Sequence, residues 1–182
     1  PKGVSLTSNY GEQRGSKMHG GTDIGAPAGT PLVAITDATI VDYGSLKETG
    51  AKRGDPNGWG NFVVYKDSKG TYHLYGHILD GFKTSGQVKA GEQIAAVGST
   101  GKSSGPHLHW EIGSGWTGGV LTGKRDPLSS YKVSDPFIGQ TRADLGDPTK
   151  TPRLSTGQPT TGSSLLDGLL LLPQSAAGNA PP

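Results

Sequence analysis

The chain contains no cysteine, so disulfide bonds and thiolate metal sites are excluded. Any metal ion must therefore be bound through histidine, aspartate or glutamate side chains. Lysine and arginine residues are scattered rather than clustered, and a net charge of only +2 gives little reason to expect nucleic-acid binding. Only 31% of the residues are apolar, but they cluster in the first three quarters of the chain, where a compact core is feasible.

The first residues, Pro1-Lys2-Gly3-Val4, lack the apolar stretch of a signal peptide. A removed signal, a non-classical export route and excision from a longer polypeptide would each leave this start. The sequence does not distinguish between these three origins.

Turn-forming residues are abundant, with 31 glycines and 13 prolines. The segments between the turns are short and alternate between apolar and polar residues, and none has the pattern of a long amphipathic helix. We therefore predict a mainly β, antiparallel fold with a long polar loop over residues 44–60. The predicted strands cover residues 22–25, 32–35, 38–41, 61–66, 71–77, 93–97 and 107–112.

The segment His107-Leu108-His109-Trp110-Glu111 carries the clearest chemical signal. Its alternation predicts a strand, in which residues two apart share one face. His107, His109 and Glu111 therefore point one way, while Leu108 and Trp110 can pack on a core. Two imidazoles about 7 Å apart on a rigid strand make a metal-binding or proton-transfer pair. The spacing permits both histidines, and also Glu111, to bind one metal.

A second group of candidate ligands lies upstream, in His19-Gly20-Gly21-Thr22-Asp23. On a helix His19 and Asp23 would share a face, but the glycines and the threonine favour a loop that runs into a short strand. Together with a third histidine, this pair would supply three protein ligands and leave one position for water. That is the layout of a catalytic zinc site.

Two further histidines occur in His73-Leu74-Tyr75-Gly76-His77. If this segment is a strand through residue 77, both histidines and Tyr75 lie on one face.

These motifs occur in the order typical of the zinc metallopeptidases of family M23, the LytM/lysostaphin type, which the chain resembles. The resemblance covers about residues 5–138. It rests on three motifs, an opening strand at residues 7–11, and turns at residues 26–31, 58–61 and 98–101. The motifs are His19-x-x-x-Asp23, Tyr75-Gly76-His77 and His107-Leu108-His109.

The resemblance implies an antiparallel β-sheet groove with long loops as walls and one Zn²⁺ held by His19, Asp23 and His109. In such enzymes the second histidine of the His107–His109 pair binds zinc and the first stays free. His107 is then the candidate general base, and His77 orients the attacking water or stabilises the developing oxyanion. No HExxH motif is present, so the glutamate base of that protease type is absent.

Three residues near these motifs are expected to have other roles. Glu111 would lie at the strand edge or orient a metal ligand. His73 lies outside the family motif and is expected as an exposed polar residue near the groove rim. Tyr75 is either a groove residue or an aromatic side chain packed in the sheet. The loop over residues 45–60 would form a wall of the substrate groove.

The composition changes after Phe137. We divide the chain into a peptidase-like domain over residues 1–138 and an extended tail over residues 139–182, which is rich in Ser, Thr, Gly and Pro. A leucine-rich segment at residues 165–173 is too short to span a bilayer, which needs about 20 apolar residues. It is expected to dock on a partner or on the domain itself.

The resemblance implies an endopeptidase that hydrolyses peptide bonds in bacterial peptidoglycan stem peptides or cross-links. One setting is a phage tail or virion, in which the tail segment would contact other virion proteins; the other is a secreted bacterial hydrolase in the cell envelope. A non-catalytic module that binds peptidoglycan or a partner fits less well, because all three ligands and both free histidines are present. No nucleic-acid partner and no membrane span are expected.

Overall fold

Thirteen β-strands and two 3-10 turns form the structure, a computed structural model that describes residues 3–50 and 54–137. Within those two ranges there is no α-helix, and hence no helix that could cross a membrane. The turns are Pro127–Ser129 and Asp135–Phe137. The strands, in chain order, are β1 Ser5–Ser8, β2 Gln13–Arg14, β3 Lys17–Met18, β4 Thr22–Gly25, β5 Pro31–Val33, β6 Ala38–Gly44, β7 Phe62–Asp67, β8 Tyr72–Gly76, β9 Gly86–Val88, β10 Gln93–Ala96, β11 His107–Gly113, β12 Gly115–Thr117 and β13 Val120–Thr122.

The main element is a seven-stranded sheet in the order β1-β4-β11-β8-β7-β6-β9, and all of its neighbouring strands are antiparallel. Three two-stranded sheets add to it, formed by β5 and β10, β12 and β13, and β2 and β3. The predicted mainly antiparallel β fold is confirmed. Because β11 lies between β4 and β8, the three histidine motifs are brought to neighbouring strands.

One face of the main sheet packs on a hydrophobic core. Leu108, Trp110 and Ile112 of β11 are fully buried there, together with Tyr75 of β8. The β5–β10 pair contributes to the same core, and the hydroxyl of Tyr75 donates to the carbonyl of Val33 at 3.0 Å. Each fully buried side chain of this size contributes about 1.5–3 kcal/mol. The alternation that buries these residues turns the histidines of β11 to the opposite face.

The observed strands follow the predicted ones with shifts at their ends. Strand β6 continues to Gly44, beyond the predicted end at residue 41, whereas β5 stops at Val33. The opening segment at residues 7–11 is a strand only through Ser8, because Gly11 adopts a φ of 75° in a turn. The β2–β3 and β12–β13 hairpins and the edge strand β9 are not apparent from the sequence pattern.

Strand β8 ends at Gly76, and His77 leaves the strand with a φ of 61°. A positive φ is uncommon for a residue with a Cβ atom, and here it breaks the two-residue alternation. His73 and Tyr75 therefore point into the core, while the ring of His77 lies beside that of His109 on the other face. The expectation that these two histidines share a face with Tyr75 is wrong. Tyr75 was expected to be either a groove residue or an aromatic side chain packed in the sheet, and it is packed in the core.

His73 is fully buried, so the expectation of an exposed residue near the groove rim is also wrong. Its ring stacks on Tyr65, with centroids 4.5 Å apart and planes within 5°. Nε2 donates to Oδ2 of Asp67 at 3.3 Å, and Nδ1 accepts from Nε1 of Trp110 at 3.4 Å. Burial lowers the pKa of His73, although Asp67 opposes this effect. Both ring nitrogens have partners, which is what allows a histidine to be buried here.

Phe137, the last described residue, is 1% exposed and belongs to the core. The boundary between residues 138 and 139 and the leucine-rich segment at residues 165–173 lie outside the described residues. Both therefore stay predictions.

Candidate metal centre and catalytic groove

The metal-binding motifs meet in one row of paired residues across the sheet. Asp23 of β4 lies opposite His109 of β11, and His109 lies opposite Gly76 of β8. Phe62 of β7 is the next residue in the row. Gly76 has no side chain, so the space beside His109 on this face of the sheet stays open. A Cβ atom at Gly76 would lie 3.6 Å from the Cβ of His109.

His19 reaches this row from the loop before β4. Its backbone NH donates to the carbonyl of Glu12 at 2.8 Å, and its carbonyl accepts from the NH of Gly11 at 2.9 Å. These two bonds fix the loop against the segment that follows β1. The predicted loop running into a short strand over Thr22–Gly25 is confirmed.

Three donor atoms converge at this end of the groove. Oδ1 of Asp23 lies 3.2 Å from Nε2 of His19 and 2.8 Å from Nδ1 of His109. The two nitrogens are 3.1 Å apart. All three residues are buried, and their ligand atoms lie within 4.8 Å of one another, as in a group that could hold a metal ion. The structure therefore brings together the three residues that the sequence suggests as ligands.

The hydrogen bonds behind the two imidazoles determine which nitrogen is free. Nδ1 of His19 lies 2.8 Å from the carbonyl of Asn9, and Nε2 of His109 lies 3.0 Å from Oε1 of Glu111. Carbonyl and ionised carboxylate oxygens only accept, so these two nitrogens carry the protons. Nε2 of His19 and Nδ1 of His109 are then lone pairs that face each other and Asp23.

This arrangement suits a bound cation. Burial raises the pKa of Asp23, but the neighbouring His109, His19 and Arg14 outweigh it and hold the pKa far below its usual range. An ionised carboxylate and two lone pairs at such short distances repel one another unless a positive charge lies between them. Two imidazole nitrogens and one carboxylate oxygen are also the donor types that Zn²⁺ prefers. The residues present therefore fit a zinc ion.

Glu111 supports His109 from behind and does not join the three donors. Its side chain is only 3% exposed, and its second oxygen, Oε2, lies 2.6 Å from Nζ of Lys124. Burial raises the pKa of Glu111, but the hydrogen bonds with His109 and Lys124 lower it further than burial raises it. Gly21 makes room for this packing, since a Cβ atom there would lie 2.8 Å from Cγ of Glu111. This is the orienting position expected of a carboxylate next to a metal ligand.

His107 lies beside the donor atoms, with its Nε2 3.7 Å from Oδ1 of Asp23. Its Nδ1 donates to the carbonyl of Gly105 at 2.8 Å, so Nε2 keeps a free lone pair. The side chain is 16% exposed, which leaves room for water to reach it. The ring can therefore accept a proton at the edge of the donor cluster.

His77 lies next to His107, with ring centroids 4.6 Å apart. Its NH donates to the carbonyl of Trp59 at 2.7 Å, and Nδ1 donates to the carbonyl of Thr100 at 2.7 Å. Burial lowers the pKa of His77 to about 4, with His107 adding to the effect and the carbonyl of Thr100 opposing it. His77 is therefore neutral at pH 7, with a lone pair at Nε2. A neutral ring in this form accepts a hydrogen bond, so it suits the orienting of water better than donation to an oxyanion.

His77 is held by two turns, at residues 58–61 and 98–101, which are hydrogen-bonded to each other. Lys102 NH donates to the carbonyl of Gly58 at 2.9 Å, and Asn61 NH donates to Oγ1 of Thr100 at 3.0 Å. A Cβ atom at Gly101 would lie 2.6 Å from the carbonyl oxygen of Gly58. Glycine is therefore required where the backbones cross, and this explains why both glycine-rich turns accompany the histidine motifs.

Arg14 also lies at the site, and the sequence pattern gives no signal for it. The residue belongs to the short β2–β3 hairpin, and its Nη2 donates to Oδ2 of Asp23 and to Oγ of Ser8, at 2.6 and 2.7 Å. Asp23 is thus divided between two partners, with Oδ1 among the metal donors and Oδ2 on Arg14.

An aromatic cluster lies beside the site, at the Phe62 end of the row of paired residues. The rings of Trp59, Phe62 and Trp116 lie 5.4 to 6.4 Å apart, and Nε1 of Trp59 donates to Oε1 of Glu111 at 3.3 Å. Trp59 comes from the loop that was expected to form a groove wall; residues 51–53 of that loop lie outside the described residues. Trp116 belongs to the β12–β13 hairpin, for which the sequence gives no strand signal.

An antiparallel sheet that joins a His–Asp–His donor group to two further histidines beside it is the arrangement of a metallopeptidase. The model of Peptidase family M23 matches residues 17–120, and the chain belongs to this family.

Similar proteins agree with this membership. The protein named DD-carboxypeptidase/endopeptidase Mpg, from Neisseria meningitidis serogroup B (strain ATCC 13091 / M2091), is 39% identical over 128 residues, which cover 70% of this chain and 25% of that protein. The chain thus spans about a quarter of the length of this curated relative. The catalytic domain of the antimicrobial peptidase lysostaphin from Staphylococcus simulans aligns with a TM-score of 0.57 at 28% identity, covering 69% of this chain and 90% of that domain.

A zinc-containing peptidase from Vibrio cholerae aligns with a TM-score of 0.53 at 26% identity, covering 69% of this chain and 36% of that chain. The donor group of this chain fits the ion that this neighbour contains. Zn²⁺ is therefore the cofactor, and the relatives of this chain include the protein named peptidoglycan DD-endopeptidase ShyC, from Vibrio cholerae.

Proposed function

We propose that the chain is a zinc-dependent endopeptidase that cleaves peptide bonds in the stem peptides or cross-links of bacterial peptidoglycan. His19, Asp23 and His109 hold the ion and leave a position for water. When bound, zinc supplies a Lewis acid that polarises the scissile carbonyl and lowers the pKa of water. The names of the relatives, a DD-carboxypeptidase/endopeptidase and the antimicrobial peptidase lysostaphin, support this substrate class.

His107 is the general base in this proposal. The carbonyl of Gly105 keeps the proton on Nδ1, so the Nε2 lone pair is available to take a proton from the attacking water. The protonated ring can then deliver that proton to the departing amine. His77, which is neutral at pH 7 and has Nε2 free, accepts a hydrogen bond from the same water and orients it.

One observation carries the proposal: the site contains two pairs of histidines whose unprotonated nitrogens point to different places. Acceptors behind His19 and His109 turn their lone pairs toward Asp23. Backbone carbonyls behind His107 and His77 keep a lone pair free at each Nε2 outside the donor group. A module that only binds peptidoglycan needs neither of the second pair, whereas a hydrolase needs a base and a way to orient water.

Digestion of purified cell walls tests this function. One wall should be cross-linked through glycine bridges and the other through D-alanyl–diaminopimelate links, and mass spectrometry should identify the new termini. We expect new amino and carboxyl termini with the zinc-loaded protein and none with the zinc-loaded His107→Ala variant or after chelation. If neither wall yields new termini with the zinc-loaded protein, the proposal is wrong.

We further propose a phage tail or virion as the setting in which the enzyme works, with a secreted enzyme of the cell envelope as the alternative. The Ser-, Thr-, Gly- and Pro-rich composition of residues 139–182 supports a tail that presents the domain to an assembly. Mass spectrometry of purified particles and of the secreted fraction distinguishes the two. Peptides of this chain in the secreted fraction alone would contradict the virion setting.

A further inference from the structure

Arg14 places a partly exposed guanidinium group at one end of the metal site. Its Nη2 is held by Asp23 and Ser8, at 2.6 and 2.7 Å. The side chain is nevertheless 47% exposed, compared with 9% for Asp23. Across residues 3–50 and 54–137, no acceptor is hydrogen-bonded to Nε or Nη1 of Arg14. The two bonds at Nη2 therefore fix the group, while its other donors are available to a ligand.

The position of Arg14 relative to the reacting atoms defines what that ligand can be. Oδ1 of Asp23 is among the metal donors and Oδ2 of the same carboxylate binds Arg14, so the guanidinium lies next to the centre. In a peptide, the carboxylate of the residue that supplies the leaving nitrogen is only a few bonds from the carbonyl carbon under attack. When the carbonyl is at the metal, such a carboxylate would lie near the centre, next to which Arg14 also lies.

We propose that Arg14 binds the carboxylate of the residue whose nitrogen leaves, and so selects peptides with a free carboxylate on the carbon next to the scissile nitrogen. Guanidinium and carboxylate groups match in shape and can form two parallel charge-assisted hydrogen bonds. This inference rests on the proposed hydrolysis of wall peptides and refines its substrate class.

Wall peptides differ in this feature. A D-alanyl–D-alanine end and a D-alanyl–diaminopimelate cross-link both carry a carboxylate on the carbon attached to the scissile nitrogen. A glycyl–glycine bond inside a bridge carries an amide at that place. Arg14 therefore favours the first two bonds over the third, and it suits carboxypeptidase and endopeptidase cleavage equally.

Two peptides that differ only at their end test the assignment. One is diacetylated L-lysyl-D-alanyl-D-alanine with a free carboxylate, and the other is its carboxamide. For the zinc-loaded protein we expect kcat/KM to be about 10- to 100-fold higher with the carboxylate, the range for a hydrogen bond between charged groups. Arg14→Met should remove this preference by slowing the carboxylate peptide alone, and Arg14→Lys should keep part of it.

A matched control removes the same charge elsewhere. Lys89 follows β9 at the far edge of the sheet, where its Nζ pairs with Asp37 at 2.8 Å. Lys89→Met should keep the full preference for the carboxylate, and zinc content should be measured in all samples. Equal loss on both peptides in Arg14→Met, with or without loss of zinc, would show that Arg14 acts only through Asp23 and would overturn the assignment. Measurable and equal turnover of both peptides by the unmodified protein would also overturn it.

A binding measurement separates this assignment from the proposed function. Zinc-loaded His107→Ala should be titrated calorimetrically with both peptides, with and without Arg14→Met. We expect the carboxylate peptide to bind about 10-fold or more tightly than the amide only when Arg14 is present. If the unmodified protein cleaves neither peptide but this difference is found, the hydrolysis fails and the role of Arg14 stands. If the affinities are equal, the role of Arg14 is wrong.

Discussion

Nε2 of His109 donates to Oε1 of Glu111 at 3.0 Å, and this bond turns Nδ1 of His109 toward Asp23. Lys124 holds the second oxygen of Glu111 at 2.6 Å, so the carboxylate stays ionised in a buried position. A carboxylate behind a ligating histidine fixes the ring and raises its basicity. The ion pair of Glu111 and Lys124 thus lies behind the donor group and supports His109.

Replacing Glu111 tests whether its hydrogen bond with His109 strengthens zinc binding. Glu111→Leu removes the acceptor behind His109, and we expect zinc affinity to fall by about 10- to 100-fold. Glu111→Gln keeps a carbonyl acceptor and should retain most of the affinity. Competition with a zinc-binding dye measures both variants. Equal zinc affinity in Glu111→Leu and the unmodified protein would show that the bond does not matter for the metal.

Gly21 gives a second test, based on space. A Cβ atom there would lie 2.6 Å from the carbonyl oxygen of Trp110 and 2.9 Å from Cε1 of His109. Gly21→Ala should therefore displace the ring of His109 and lower both zinc affinity and turnover. Gly105→Ala is the matched control for zinc affinity, because nothing lies within 4 Å of a Cβ atom at Gly105 and its φ is outside the left-handed range. If the two variants bind zinc equally well, the packing of His109 against Gly21 is not required.

Much of the fold and the donor group can be predicted from local sequence, because alternation and turn residues are local signals. The pattern of His107 to Glu111 assigns the two faces of β11 correctly. The rule that residues two apart share a face fails at His77. A single positive φ moves its ring to the opposite face, and the local sequence does not predict that φ. His73 misleads for another reason, because its partners Asp67 and Trp110 come from other strands.

Arg14 and Trp116 could not be predicted for a similar physical reason. Each lies on a hairpin of strands only two or three residues long, which is too short to show a period. Their positions are determined by long-range contacts, from Arg14 to Asp23 and from Nε1 of Trp116 to Oδ2 of Asp42 at 2.7 Å. Residues that line a groove are thus the least visible in the sequence.

His73 predicts a pH dependence of folding stability that is separate from the metal. Because burial lowers its pKa, the unfolded chain takes up a proton below about pH 6.5 that the folded chain does not. Stability should therefore be complete above that pH and decrease as the pH falls toward the pKa in the folded state. The slope from this one group is at most about 1.4 kcal/mol per pH unit.

Urea unfolding of the protein after removal of zinc with a chelator, between pH 7.5 and 5, measures this slope. His73→Gln keeps a donor for Asp67 and an acceptor for Trp110 but does not titrate, so its slope should be shallower. His77, whose pKa is also lowered, to about 4, contributes equally to both proteins and cancels in the difference. Identical slopes for both proteins would contradict the assignment to His73.

The chain beyond about Thr141 is expected to be dispensable for chemistry, since that segment carries no histidine. Truncation after Thr141 keeps the buried Phe137 and should leave hydrolysis of soluble wall peptides intact. A lower melting temperature would show that the segment packs on the domain, and weaker incorporation into particles would show that it contacts a partner. Loss of hydrolysis at full zinc content and an unchanged melting temperature would contradict both and place the segment in the active site.

The most direct test of the site assignment is to measure zinc content and peptide hydrolysis together in two variants, His109→Ala and His107→Ala. We expect one zinc per chain in the unmodified protein, substantial loss of zinc in His109→Ala, and full zinc with at least about 100-fold lower turnover in His107→Ala. Full zinc retention in His109→Ala, or joint loss of zinc and turnover in His107→Ala, would contradict the separation of ligands from the base.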